Sequence, residues 1–176
     1  MIVAIVAVVM IGLIYSLHLF YSSGSAEEGI VVCNPENQNE CLWQDHMHAL
    51  VITSVNGLGP NLPLEKGDLN DVHTHEERNV IHWHSSLPYD PVAKRVLDTS
   101  VFKVSHAFES IGWQLPEDGI LFVKKENGNW EHIAEYGDYT WSDHDILYIA
   151  NDGRTEEQIM NYLQKADIKL PYLGAG

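Results

Sequence analysis

Basic residues are scarce. Ten Lys plus Arg stand against 25 Asp plus Glu, giving a formal charge of −15 over 176 residues. A chain this acidic repels nucleic acid and anionic lipid, and no basic patch offsets it, so nucleic acid is not an expected partner. Cysteine is nearly absent, with two residues, and neither has the C-x-x-C spacing of a Cys/His zinc site. There is no P-loop, no G-x-G-x-x-G, no nucleophile elbow, no Cys nucleophile and no C-x-x-C-H haem motif, which removes the commonest enzyme classes. Asn-x-Ser/Thr sequons and internal repeats are also missing. What remains is ordinary globular composition, 45% hydrophobic and 20% charged, which argues against disorder and collagen-like structure.

One long apolar run interrupts this acidic chain. Ile2 to Tyr21 reads IVAIVAVVMIGLIYSLHLFY, and twenty helical residues span about 30 Å, the thickness of a bilayer core. No Lys or Arg precedes it, so it reads as an uncleaved anchor better than as a secretory signal, although Ser23-Gly24-Ser25-Ala26 leaves cleavage open. Tyr15, Phe20 and Tyr21 sit at one end as an interfacial belt, with His18 beside them. Both cysteines, Cys33 and Cys41, follow in a Pro/Asn/Gln-rich stretch. A Cys33–Cys41 disulfide in an oxidising compartment is the economical reading. The expected organisation is therefore a transmembrane anchor (or signal peptide) at 1–22, a disulfide-closed linker at 23–41, an extracytoplasmic domain at 42–168 and a tail at 169–176. The cytoplasmic membrane is the expected location, with lipid contacted through residues 2–21.

The domain reads as α+β. His46 to Val55 is β-branched and ends at Asn56-Gly57, a strand with a turn signal. Residues 58–71 form a loop, residues 79–85 alternate as a second strand, and Pro88 and Pro91 break the chain. Ser100 is the expected N-cap of a three-turn helix carrying Val101, Val104, Phe108 and Ile111 and closed by Gly112. Strands follow at 119–125, 130–134 and 145–150, with Asn127-Gly128 as a hairpin turn. Thr155-x-x-Gln158 is a capping box opening a last helix with Ile159, Leu163 and Ala166 on one side. The result is a small mixed or antiparallel sheet with one central helix and a C-terminal helix.

Histidine is the outlier. Six of the ten histidines form three H-x-H pairs: His46/His48, His73/His75 and His82/His84. On a strand, residues i and i+2 point to one face, about 6.6 Å apart. One strand can therefore offer two imidazoles to an ion and its neighbour a third. Neutral imidazole suits Cu²⁺ and Zn²⁺, so a copper or zinc ion is the expected cofactor, copper slightly favoured. Met47 lies between two of these residues and is available to assist. Any single pair reads equally well as a solvent-facing or hydrogen-bonded pair, but three in so short a segment point to metal. Asp45, Asp71 and Glu76, with Glu77, surround the cluster. They either hold the outer imidazole nitrogens or simply belong to the acidic surface. His106, His132 and His144 stand alone and read as ordinary surface or half-buried residues.

These parts resemble a largely uncharacterised group of membrane-anchored or secreted bacterial and archaeal proteins. The group carries H-x-H on a strand ending at N/D-G, then HTHD…GVIH-x-E, a helix with "F..I/WG" and a strand pair closed by "L-x-D-H/G-D-E-I". Matching them are His46-Met47-His48 with Asn56-Gly57, His73-Thr74-His75-Glu76…Val80-Ile81-His82-Trp83-His84, Phe108…Ile111-Gly112-Trp113 and Trp141-Ser142-Asp143-His144-Asp145-Ile146. The likeness spans about residues 43–152. Glu76 stands where Asp is usual, Asn79 where Gly is usual, and His84 where a carboxylate is usual. The resemblance implies a metal-binding extracytoplasmic domain and supplies no reaction. Asp143-His144-Asp145 before a strand also resembles β-grasp domains, a likeness of fold alone.

Three functions are open at this stage. The histidine pairs alone suffice for a membrane-tethered module that holds or delivers copper or zinc. Three imidazoles with a free fourth position also describe a zinc hydrolase or hydratase, for which no general base is apparent in sequence. Gly12 and Ser16, a small-xxx-small pair in the apolar run, fit an ancillary subunit docking against other membrane helices.

Overall fold

The computed structural model describes residues 29–56, 58–126 and 128–170. The expected anchor at 1–22 lies outside them, and among the described residues no helix is long and apolar enough to cross a membrane. Among the described residues, seven strands form one mixed sheet: β1 (Ile30–Cys33), β2 (Cys41–Val55), β3 (Val80–Asp90), β4 (Arg95–Val96), β5 (Ile120–Lys124), β6 (Trp130–Ile133) and β7 (Asp145–Asn151). Their order is β4-β3-β2-β7-β5-β6, with β1 also paired to β2. β2 and β7 run parallel, and the other pairs are antiparallel. Two α-helices among the described residues complete the α+β fold, α1 (Val104–Ser110) and α2 (Glu156–Leu163).

Strict alternation along the strands gives the sheet two apolar faces. Met47, Ala49, Val51, Ile81, Trp83, Leu147 and Ile149 pack against Val104, Ala107 and Phe108 of α1. On the opposite face Phe122, Ile146 and Tyr148 pack against Ile159 and Leu163 of α2. The capping box expected at α2 is present: Gln158 N–H donates to Thr155 Oγ1 at 3.3 Å and Thr155 N–H donates to Gln158 Oε1 at 2.9 Å. The α2 face continues onto the even-numbered residues of β2 and β3, where the side chains change from Leu50 and Ile52 to histidine.

Three elements differ from the sequence reading. The stretch expected to be linker carries β1, whose Cys33 pairs in register with Cys41 and is joined to it by a disulfide. β3 runs through Pro88 to Asp90, because on the β4 side Pro88 only has to accept, from Leu97 N–H at 2.9 Å. The central helix is shorter than three turns. Ser100–Phe102 is a 3-10 turn, Lys103 is extended at φ −67° and ψ 139°, and α1 begins at Val104. Residues 139–141 pull this segment out of helical geometry: Val104 N–H donates to the Tyr139 carbonyl and Trp141 N–H to the Phe102 carbonyl, each at 2.9 Å. Gly112 does close the helix, at φ +67°.

Candidate metal centre

The site follows from how β2 and β3 pair. His46 lies opposite His84, and His48 opposite His82. His46 N–H donates to Asp45 Oδ1 and His48 N–H to Asp143 Oδ1, at 2.8 and 2.7 Å, so both amides point away from β3. These are therefore non-hydrogen-bonded pairs, the kind in which opposed side chains come closest. On the other side of β3, His73 and His82 exchange backbone hydrogen bonds at 3.0 and 2.8 Å. Three chain segments thus lie side by side and turn six imidazoles to one face. Met47 and Trp83, the middle residues of the two strand pairs, point the other way into the core at 6% and 0% exposure, and Thr74 is also buried, at 3%.

The six imidazoles sort into two triads that can each hold a metal ion. One ligand nitrogen from each of His46, His48 and His82 lies within 4.8 Å of the others, and the same holds for His73, His75 and His84. In the second triad His73 Nε2 is 3.1 Å from His75 Nε2 and 3.0 Å from His84 Nε2. Nitrogens bound tetrahedrally to one ion at 2.0–2.1 Å stand about 3.3 Å apart, so these spacings nearly match a shared ligand sphere. The tautomer also suits a ligand. His73 Nδ1–H donates to the Asp71 carbonyl at 2.8 Å, which in the neutral ring leaves the lone pair on Nε2, facing its two neighbours. In the first triad His82 Nε2 is buried and has no hydrogen-bond partner among the described residues. Such an atom costs roughly 1–3 kcal/mol unless something binds it.

The environment disfavours the charged form of four of these rings. Burial, reinforced by adjoining imidazoles, holds His46 and His48 below the ordinary histidine range and His82 down to about 3. Burial lowers His73 as well, against the opposing effect of its bond to Asp71. Carboxylates stand just behind: Asp143 Oδ1 is 3.9 Å from His48 Nδ1, and Glu77 Oε2 is 3.7 Å from His82 Nε2.

The loop bearing His73 and His75 is clamped from two sides. From α1, His106 Nε2 lies 2.9 Å from both Asp71 carboxylate oxygens, and Ser110 Oγ donates to the Val72 carbonyl at 2.7 Å. From the preceding loop, Thr74 N–H donates to the Lys66 carbonyl at 2.8 Å and Thr74 Oγ1 to the Pro63 carbonyl at 2.7 Å. Gly67 makes that approach possible. It has φ +93°, and a Cβ there would stand 2.5 Å from the Val72 carbonyl oxygen and 2.8 Å from His73 Cα.

All six histidines named from sequence come together. Of the acidic residues named, Asp71 supports His73 through its carbonyl and holds His106 through its carboxylate. Asp45 bonds the His46 amide. Glu76 is exposed, and its neighbour Glu77 is the one beside His82. Asp143 and His106 were not among the predicted site residues; they reach the cluster from 95 and 35 residues away, which no local pattern encodes. His132 lies apart, with its Nδ1 3.2 Å from Glu156, and His144 sits between Asp143 and Glu126. No family model, curated protein or solved structure matches the chain, and nothing in these comparisons identifies a family.

Proposed function

We propose that this protein is a transition-metal-binding module in which the His46/His48/His82 and His73/His75/His84 triads are the ligands, and that it holds or delivers copper or zinc. The observation that carries this is the second triad, where a fixed tautomer aims the His73 Nε2 lone pair at two other Nε2 atoms 3.0–3.1 Å away. An all-imidazole set without thiolate suits Cu²⁺ and Zn²⁺, and the general affinity order for divalent ions favours copper. The 20-residue apolar run and the Cys33–Cys41 disulfide support a tethered domain outside the cytoplasm. The test is elemental analysis of the untagged full chain in mild detergent after exposure to Cu²⁺ or Zn²⁺, with His46→Ala/His48→Ala as the control. Stoichiometric metal that falls in the control is expected. A metal-free protein after both exposures overturns the proposal.

A further inference from the structure

We infer, on the metal-binding reading above, that the two triads form a single dinuclear centre, with two like ions held side by side across β3 rather than in two separate sites. The strand register carries this. Two of the three direct cross-strand pairs join different triads, His46 facing His84 and His73 facing His82, while His48 faces His82 within the first. Each triad is therefore assembled partly along the diagonals of the sheet, and the two interlock. β3 supplies one residue to each, His82 to the first and His84 to the second, two positions apart on one face.

The ring spacings agree. Within triads, ring centroids are 4.4 Å (His46–His48), 4.7 Å (His48–His82), 4.7 Å (His73–His75) and 4.6 Å (His73–His84) apart. Between triads they are 4.6 Å (His75–His82), 5.3 Å (His46–His84) and 6.0 Å (His73–His82). Rings serving different ions are thus in direct contact, and no main-chain layer divides the two sets. Two dications this close repel, and anionic groups are placed to offset that. Asp143 and Glu77 stand 3.9 and 3.7 Å from nitrogens of the first triad.

The experiment loads the full chain in detergent with Cu²⁺ alone, counts copper by elemental analysis and records the EPR spectrum. Two equivalents are expected, together with a half-field transition or an integrated signal well below the copper content. Either signature reports two ions coupled at short range. His84→Ala and His46→Ala alter opposite triads at exposed positions, so neither disturbs the core. Each is expected to bind one equivalent and give an uncoupled spectrum of full intensity. Two equivalents with full mononuclear intensity overturn the dinuclear arrangement, as does a single equivalent in the parent protein, while both leave metal binding intact. No bound copper overturns the dinuclear copper centre, and the metal-binding reading itself falls only if exposure to Zn²⁺ also leaves the chain metal-free.

Discussion

Asp143 accepts the backbone N–H of His48 at 2.7 Å across 95 residues of sequence, standing where a neighbouring strand would otherwise pair with β2. β1 pairs with β2 no further along than Gln44 and β7 begins opposite Ala49, so among the described residues the stretch between them meets no strand on that side. The carboxylate thus substitutes for a sheet partner and fixes the backbone from which the His48 imidazole projects. Asp143→Ala removes that acceptor from a half-buried amide. We expect a stability loss of roughly 1–3 kcal/mol in denaturant unfolding. Metal affinity should weaken at the His46/His48/His82 triad, with the other triad spared. Equal weakening of both in stepwise titrations of the His84→Ala and His46→Ala backgrounds would contradict a local role.

Gly67 lets the preceding loop lie against His73. Gly67→Ala meets both a positive φ and a 2.5 Å approach to the Val72 carbonyl oxygen. The backbone conformation alone should cost roughly 1–3 kcal/mol, and the contact adds to it. Unfolding of the metal-free variant should shift accordingly, with the second ion lost first. Parent-like stability would show that the loop does not need this contact.

Acidity should destabilise the metal-free protein. His46, His48, His73 and His82 have folded pKa values below 6.5, His82 near 3, so the unfolded chain takes up protons first. Stability is therefore full above 6.5 and falls as pH drops from there toward 3. His82 alone contributes a slope on the order of 1.4 kcal/mol per pH unit in that window. Denaturant midpoints at pH 7.5, 6 and 5 measure this, and His82→Leu should flatten the slope. An unchanged slope in that variant would mean that His82 is not kept neutral by the fold.

The disulfide and the histidines should prove separable. Cys33→Ser/Cys41→Ser releases β1, which pairs with β2 only from Cys41 to Gln44. The expected cost is about 2–3 kcal/mol, with metal stoichiometry unchanged. Loss of metal in a variant that remains folded would place β1 in the support of the site.

Much of the fold was legible because its signals are local. β-branched content and a turn signal marked most of β2, alternation marked the start of β3, and Thr155-x-x-Gln158 gave the start of α2 with its capping bonds. The shared face of His46, His48, His82 and His84 followed from period-two spacing, since the face of a strand is fixed by parity, whereas His73 and His75 lie on a loop that meets β3 through one bridge. Hidden were features that arise only between distant segments. Ser100 has the composition of an N-cap, but the pairing of 102–104 with 139–141 overrides it. Ile30–Cys33 becomes a strand because β2 offers it an edge. Asp143 and His106 support the cluster from other elements, and sequence spacing carries no trace of that.

The middle residues of the two strand H-x-H pairs, Met47 and Trp83, are buried on the reverse of the face that carries the imidazoles. A one-residue slip of β3 against β2 would expose Trp83 to water and turn His82 and His84 into the apolar interior. Burying an unpartnered imidazole while losing a large aromatic contact is doubly unfavourable. The apolar core thereby proofreads the ligand geometry during folding. It fixes how the β2 and β3 imidazoles converge without any ion, so a metal bound there would meet a site the fold had already set.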